Sequence, residues 1–244
     1  YSDENETAVC NLASLGLPNY VNDDKTFDYK KCYEVVKVLV QNLNNIIDIN
    51  FYPNEKTRLS NLKHRPIGIG VQGLADTFFK MDLAFTSDEA KDVNKRIFET
   101  IYYAALEKSY EISYERSESM KYLKDEYNYG NWRFNSDNPC ETKYTIENIT
   151  AASSSQILKE ENKIKEYLEK YKPIKAEIDK LDNNYCGAYS SFYKCPLSEG
   201  LFQFNLWNEE ATSNYDWENL KEKIMKYGIR NSLLCAPMPT ASTS

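Results

Sequence analysis

Ile229-Arg230-Asn231-Ser232-Leu233-Leu234-Cys235-Ala236, running into Pro237-Met238-Pro239-Thr240-Ala241-Ser242-Thr243-Ser244, joins a short apolar run to a proline-flanked cluster of small hydroxyl residues. The run has the length of a buried strand. Backbone N–H groups in the cluster, uncrowded by side chains and joined by Thr and Ser hydroxyls, suit a phosphate or pyrophosphate. Such a loop usually opens a helix whose N-terminal dipole completes the anion site. The sequence stops before that helix, so a piece of a larger protein is expected. Just upstream, Trp217 to Tyr227 read as a helix capped by Gly228 and leading into this final strand.

Outward from there the same alternation recurs. Residues 7–17, small and apolar, read as a buried strand with a turn at Leu17-Pro18-Asn19. From Phe27 to Ile49, Val35, Val36, Leu39, Val40, Leu43, Ile46 and Ile47 recur at helical spacing, with Pro53 beyond the end. Pro66 to Asp76 begin as a central strand or tight crossing. A further helix starts near Ser87, an N-cap followed by Asp88 and Glu89, and turns Val93, Ile97, Ile101, Ala105 and Ile112 inward. Helices alternating with apolar strands predict an α/β architecture.

Residues 117–186 differ in character, being rich in Lys, Glu, Asn and Tyr. A loop-like part around Asn135-Ser136-Asp137-Asn138-Pro139 precedes a charged helical part. There Ile157, Ile164, Tyr171 and Ile178 recur every seven residues, broken by Pro173. The expected division is 1–116, an inserted segment at 117–186, and 187–244.

Composition narrows the function classes. Hydrophobic residues at 41% and aromatics at 14% exclude a wholly disordered chain, and a net charge of −7 offers no global basic field for nucleic acid. No apolar run approaches the roughly 20 residues of a membrane span, and the acidic start is unlike a signal peptide. A soluble, cytoplasmic protein is therefore expected, and Asn5-Glu6-Thr7 and Asn148-Ile149-Thr150 are read as chance sequons. The six cysteines show no CxxC spacing and there is one histidine, so no metal site is expected. Each cysteine, taken by itself, reads as a small buried hydrophobe. His64 and Arg65 read as structural.

Gly68-x-Gly70-x-x-Gly73 matches the dinucleotide fingerprint in spacing alone. The strand before it is short and begins at Pro66, and no acidic residue stands at the expected distance. Close helix–strand packing around the three glycines explains it better than NAD or FAD.

Three blocks together carry a resemblance: Ala8-Val9-Cys10-Asn11-Leu12-Ala13-Ser14-Leu15, Arg65 to Asp76, and Tyr227 to Thr243. Asn42 to Asn50, Phe98 to Tyr103 and Gly200 to Trp207 fit as well. The chain, over about 1–116 and 187–244, resembles the large catalytic subunit of class I ribonucleotide reductase of the eukaryotic and large-DNA-virus type. The resemblance implies part of a ten-stranded α/β barrel made of two five-stranded halves, with 117–186 as an inserted, mainly helical segment. It implies replacement of a ribose 2′-hydroxyl by hydrogen in a ribonucleoside diphosphate. A thiyl radical on a finger loop starts the reaction and a cysteine pair supplies two electrons.

Cys10 matches the second cysteine of that pair, its partner lying outside this chain. Pro239, Thr240, Ala241, Ser242 and Thr243 match the loop that holds the substrate diphosphate. Cys235, one step earlier, is expected to pack. The finger loop, the first redox cysteine and the allosteric sites are expected upstream; the radical-relay tyrosines and a cysteine-bearing tail are expected downstream. These residues alone are therefore expected to be inactive, with no cofactor bound directly. The parent is implied to use ATP and dNTP effectors, self-association, thioredoxin or glutaredoxin, and a small subunit with a di-metal radical cofactor.

The insertion reads either as tolerated surface length or as a stripe packing on a partner. Two other classes stand beside the reductase. One is a degenerate paralogue kept as a protein-binding module, against which Cys10 and the hydroxyl loop argue. The other is an intein, for which 117–186 is short and lacks the terminal His-Asn pair.

Overall fold

The computed structural model describes residues 2–128, 185 and 187–239. It divides into two compact units, 1–116 with 187–244, and 117–186. Most of the second lies outside the described residues, including Asn135–Pro139, Cys140, Cys186 and the stripe from Ile157 to Ile178.

In the first unit, strand β1 (Leu12–Gly16) passes through a 3-10 turn at Leu17–Tyr20 into helices α1 (Tyr29–Ile49) and α2 (Glu55–His64). Strand β2 (Gly68–Gln72) then lies parallel to β1, with Leu12 opposite Gly68 and Gly16 opposite Gln72. Parallel neighbours need such a crossover, and here two helices supply it. Helices α3 (Leu74–Lys80) and α4 (Asp88–Asn128) follow. Near the end of the chain come a single turn, α5 (Gln203–Leu206), and α6 (Trp217–Tyr227).

The far edge of β2 is taken by residues 233–236. Ile67 N–H donates to Leu233 O, Ile69 N–H to Leu234 O, and Ala236 N–H to Ile69 O, at 2.8–3.1 Å. This is the final strand expected from the sequence, but it is reduced to one parallel bridge, Ile69 with Cys235. Pro237 and Pro239 follow at once, and proline has no N–H to extend a ladder. The strand expected over 7–17 is also shorter. Thr7 N–H turns to Lys56 O and Ala8 N–H to Ser2 Oγ, so pairing with a neighbour begins only near Asn11, whose carbonyl accepts from Gly68 N–H.

The long helices form where the sequence places them. Asp28 caps α1 through Lys31 N–H at 2.9 Å, and Cys32, Val36, Val40, Leu43 and Ile47 form its buried face. Asp216 caps α6, which buries Trp217, Leu220 and Ile224. On α4, Ser87 Oγ caps Ala90 N–H, and Ile97, Ile101, Ala104 and Ala105 are fully covered. The helix runs on past residue 117, through the change in composition.

Small residues on α4 let the chain after α6 lie against it. Arg230 N–H donates to Ser109 O, Asn231 N–H to Ser109 Oγ, and Ser113 Oγ to Tyr227 O. Asn231 is fully buried and its side chain pairs reciprocally with that of Asn44 at 2.9 and 3.1 Å. Arg65, 2% exposed, reaches Asp48 and Asn44 from the left-handed C-cap of α2. Both Arg65 and His64 are built into the fold, as expected.

Candidate active site

Cys10 stands two residues before β1 and is exposed. The short stretch that carries it is tied down at both ends. Asn11, 6% exposed, donates from Nδ2 to Asn61 Oδ1 at 2.8 Å and to Pro66 O at 2.9 Å. Glu6, also 6% exposed, receives Lys63 on one carboxylate oxygen and lies 2.7 Å from His64 Nε2 with the other. The opposite ring nitrogen of His64 is 2.7 Å from Ser191 Oγ. Burial raises the Glu6 carboxyl, but the hydrogen bonds from Lys63 and His64 outweigh it and hold the group below its ordinary range. Burial holds His64 below its ordinary value against the opposing pull of Glu6. A neutral imidazole satisfies all three groups: Nε2–H donates to the Glu6 carboxylate, and Nδ1 accepts from the Ser191 hydroxyl.

The three glycines have separate tasks. A Cβ on Gly68 would come within 2.7 Å of Leu12 Cδ2 and 2.8 Å of Ala236 Cβ; one on Gly70 would meet Ala236 O at 2.8 Å and Met238 Cε at 2.9 Å. Bare backbone on that face of β2 therefore lets β1 and the 236–238 segment close over it. Gly73, at φ +73°, makes the left-handed turn into α3 against Pro18. The close packing expected of the motif is present, but at Gly68 and Gly70 it is between neighbouring extended segments rather than between helix and strand. Gly70→Ala should cost about 1–3 kcal/mol, because Ala236 O is backbone and cannot swing aside. Urea unfolding of the full-length protein measures this, and an unchanged midpoint would show that the segment shifts freely.

Past the glycine face, Ser14 Oγ lies 3.2 Å from Met238 Sδ, linking β1 to the chain that enters the hydroxyl loop. Pro239 is exposed; Thr240, Ala241, Ser242 and Thr243 lie outside the described residues. Cys10 precedes the stretch in which Leu12 to Gly16 pair with β2, and Pro237 to Pro239 follow the bridge of Cys235 to Ile69.

The surrounding protein desolvates the Cys235 thiol and pushes it up to about 12, as packing would, although the residue keeps solvent-exposed surface. Along an extended chain side chains alternate, so Cys235 faces away from the side that carries Ala236 and Met238, and it is exposed. Among the described cysteines only Cys32 is buried outright, and burial pushes its thiol up to about 12. The expectation of a small buried hydrophobe thus holds for Cys32 and fails for Cys10. Among the described residues, no group of three or more His, Cys, Asp or Glu side chains could hold a metal ion. No described helix is long and apolar enough to cross a membrane.

Sequence reasoning missed the Glu6, Asn61 and Ser191 anchors, and with them α2. The buried face of that helix is Thr57, Ser60, Asn61 and His64, which leaves no apolar period to read. The available signal was Asn54, an N-cap whose side chain accepts from Thr57 N–H.

A family model described as the ribonucleotide reductase barrel domain matches residues 1–244. The chain is 42% identical over its whole length to a ribonucleoside-diphosphate reductase large subunit of Caenorhabditis elegans. It is 41% identical to the large subunit of Variola virus and 40% to the large chain of Schizosaccharomyces pombe. It spans 21–22% of the length of these relatives. With the model matched along the entire sequence, the chain belongs to the ribonucleotide reductase barrel-domain family.

Proposed function

We propose that this chain is part of the catalytic barrel of a ribonucleoside-diphosphate reductase large subunit. The parent reduces ribonucleoside diphosphates to 2′-deoxyribonucleoside diphosphates for DNA precursor synthesis. In this reading the parallel segments belong to a ten-stranded α/β barrel of two halves. The domains divide as 1–116 with 187–244, and 117–186.

A thiyl radical on another part of the parent abstracts the ribose 3′-hydrogen. Two thiols, Cys10 and a cysteine elsewhere in the parent, then give up two electrons and two protons. The 2′-hydroxyl leaves as water, a C–H bond replaces it, the thiols close into a disulfide, and the abstracted hydrogen returns to the 3′-carbon, restoring the thiyl radical. Thiol–disulfide exchange, driven by thioredoxin or glutaredoxin, reopens that disulfide. The loop from Pro239 through Thr240, Ala241, Ser242 and Thr243 holds the diphosphate. The parent works in the cytoplasm with a radical-supplying di-metal small subunit, responds to ATP and dNTP effectors and self-associates. The 244 residues by themselves are inactive.

The observation that supports this most is that β2 is flanked by β1, which the thiol of Cys10 precedes, and by the 233–238 segment, which leads into the hydroxyl loop. A nucleoside diphosphate offers a sugar for the one and two phosphates for the other. The test is CDP reduction by the full-length subunit with its small subunit and dithiothreitol. Formation of dCDP is expected. No product from the wild type beside a competent small subunit would overturn the proposal.

A further inference from the structure

Glu6 to Asn11 form neither helix nor strand, and Thr7, Ala8 and Cys10 are exposed. A stretch of that kind is ordinarily mobile, because little buried surface holds it. Here each end carries a buried polar side chain: the Glu6 carboxylate on Lys63 and His64, and the Asn11 amide on Asn61 and Pro66 O. All four partners come from one short piece of chain, the last turn of α2 and its exit into β2. His64 is in turn held by Ser191 from a distant part of the sequence, and Ser190 N–H donates to Lys63 O. Four residues lie between the two anchors, with Thr7 N–H held by Lys56 O and Ala8 N–H by Ser2 Oγ, and the thiol is on the last of them.

We infer that Glu6 and His64, with the Asn11–Asn61 pair, form a two-point clamp that fixes the reach of the Cys10 thiol. Glu6 and His64 are positioning residues, not groups that touch the substrate. The inference rests on the reading of Cys10 as a redox thiol. Disulfide formation needs two sulfurs in one narrow geometry, and a cysteine on a loose arch would meet its partner only rarely. Asn11 sets the register of the arch on β2, and Glu6 stops the arch from peeling away from α2. A neutral His64 is what lets one ring serve the Glu6 carboxylate and the Ser191 hydroxyl together.

The test compares Glu6→Ala, His64→Ala and His64→Gln in the full-length subunit, assayed with its small subunit, CDP and a dithiol reductant. An error of ~1 Å in placing a reacting group can cost about a hundredfold. Glu6→Ala and His64→Ala should therefore lower kcat by about tenfold or more, while KM for CDP stays within about twofold because the diphosphate is held by the hydroxyl loop. His64→Gln offers one donor and one acceptor and should recover most of the loss, which a merely space-filling role does not predict. If His64→Ala fails to fold, Glu6→Gln, which keeps the volume and removes the charge, carries the same expectation. Folded Glu6→Ala and His64→Ala with unchanged kcat, or with raised KM and intact kcat, would overturn the clamp. Full turnover by a parallel Cys10→Ser variant would instead overturn the redox reading on which the clamp stands.

Discussion

Cys10→Ser in the full-length subunit should lower CDP turnover by at least about a thousandfold, equivalent to about 4 kcal/mol of barrier. Serine keeps the size and the hydrogen-bonding capacity of the side chain but cannot form a disulfide, so two electrons no longer reach the ribose. KM should change little. Cys10 precedes the stretch of β1 that pairs with β2, whereas the segment that leads into the hydroxyl loop continues beyond its bridge to Ile69. Stability should also hold, because the neighbours of Cys10 are anchored through Glu6 and Asn11 rather than through sulfur. The assay is steady-state CDP reduction with dithiothreitol, beside a melting curve. Wild-type turnover in a folded Cys10→Ser protein would remove Cys10 from the chemistry.

The largest stability effect should come from Asn231→Leu. Asn231 is fully buried; its Nδ2 donates to Asn44 Oδ1 and Arg65 O, and its Oδ1 accepts from Asn44 Nδ2 and Ser109 Oγ. Leucine fills a similar volume and answers none of these groups. Buried polar atoms left without partners cost about 1–3 kcal/mol each. Neighbouring losses within one network do not add fully. A loss of about 3–5 kcal/mol is expected, read as a fall in the urea midpoint at unchanged slope. Asn231→Asp keeps the shape but sets a buried carboxylate against Asn44 Oδ1 and Arg65 O, so at neutral pH it should lose at least as much stability. An Asn231→Leu midpoint near wild type would mean that the surrounding groups find other partners.

Legibility in the sequence followed how each element is held together. Helix α1 declared itself because Asp28 caps it and its buried face is apolar at a helical period. Helix α6 did so through Trp217, Leu220, Ile224 and the closing Gly228. Helix α2 stayed hidden because its inward residues are polar and are satisfied by partners far along the chain, such as Asn11 for Asn61 and Ser191 for His64. The apolar run at 233–236 was legible as extended chain, but not how little of it pairs; that depends on neighbouring prolines and on a single adjoining strand. Of the candidate site, Cys10 was legible only from the residues around it. Its exposure follows from the point at which β1 begins, which composition does not encode. The roles of Gly68 and Gly70 could not be divided from that of Gly73 by spacing, since contact with Ala236 and Met238 spans more than 160 positions of sequence.

That same separation has a consequence on the ribosome. The edge of β2 that faces residues 233–236 is complete when Gln72 has been made, but its partner is synthesised some 160 residues later. At about 5–20 residues per second this leaves the edge without its partner for roughly 10–30 s. An unpaired strand edge is a template for pairing with other chains, and Gly68-Ile69-Gly70-Val71 carries no charge to deter it. Nascent chains of this protein are therefore expected to lean on chaperones during that interval. Lengthening the stretch between the two partners would lower the soluble yield of the protein even where it leaves the finished fold untouched.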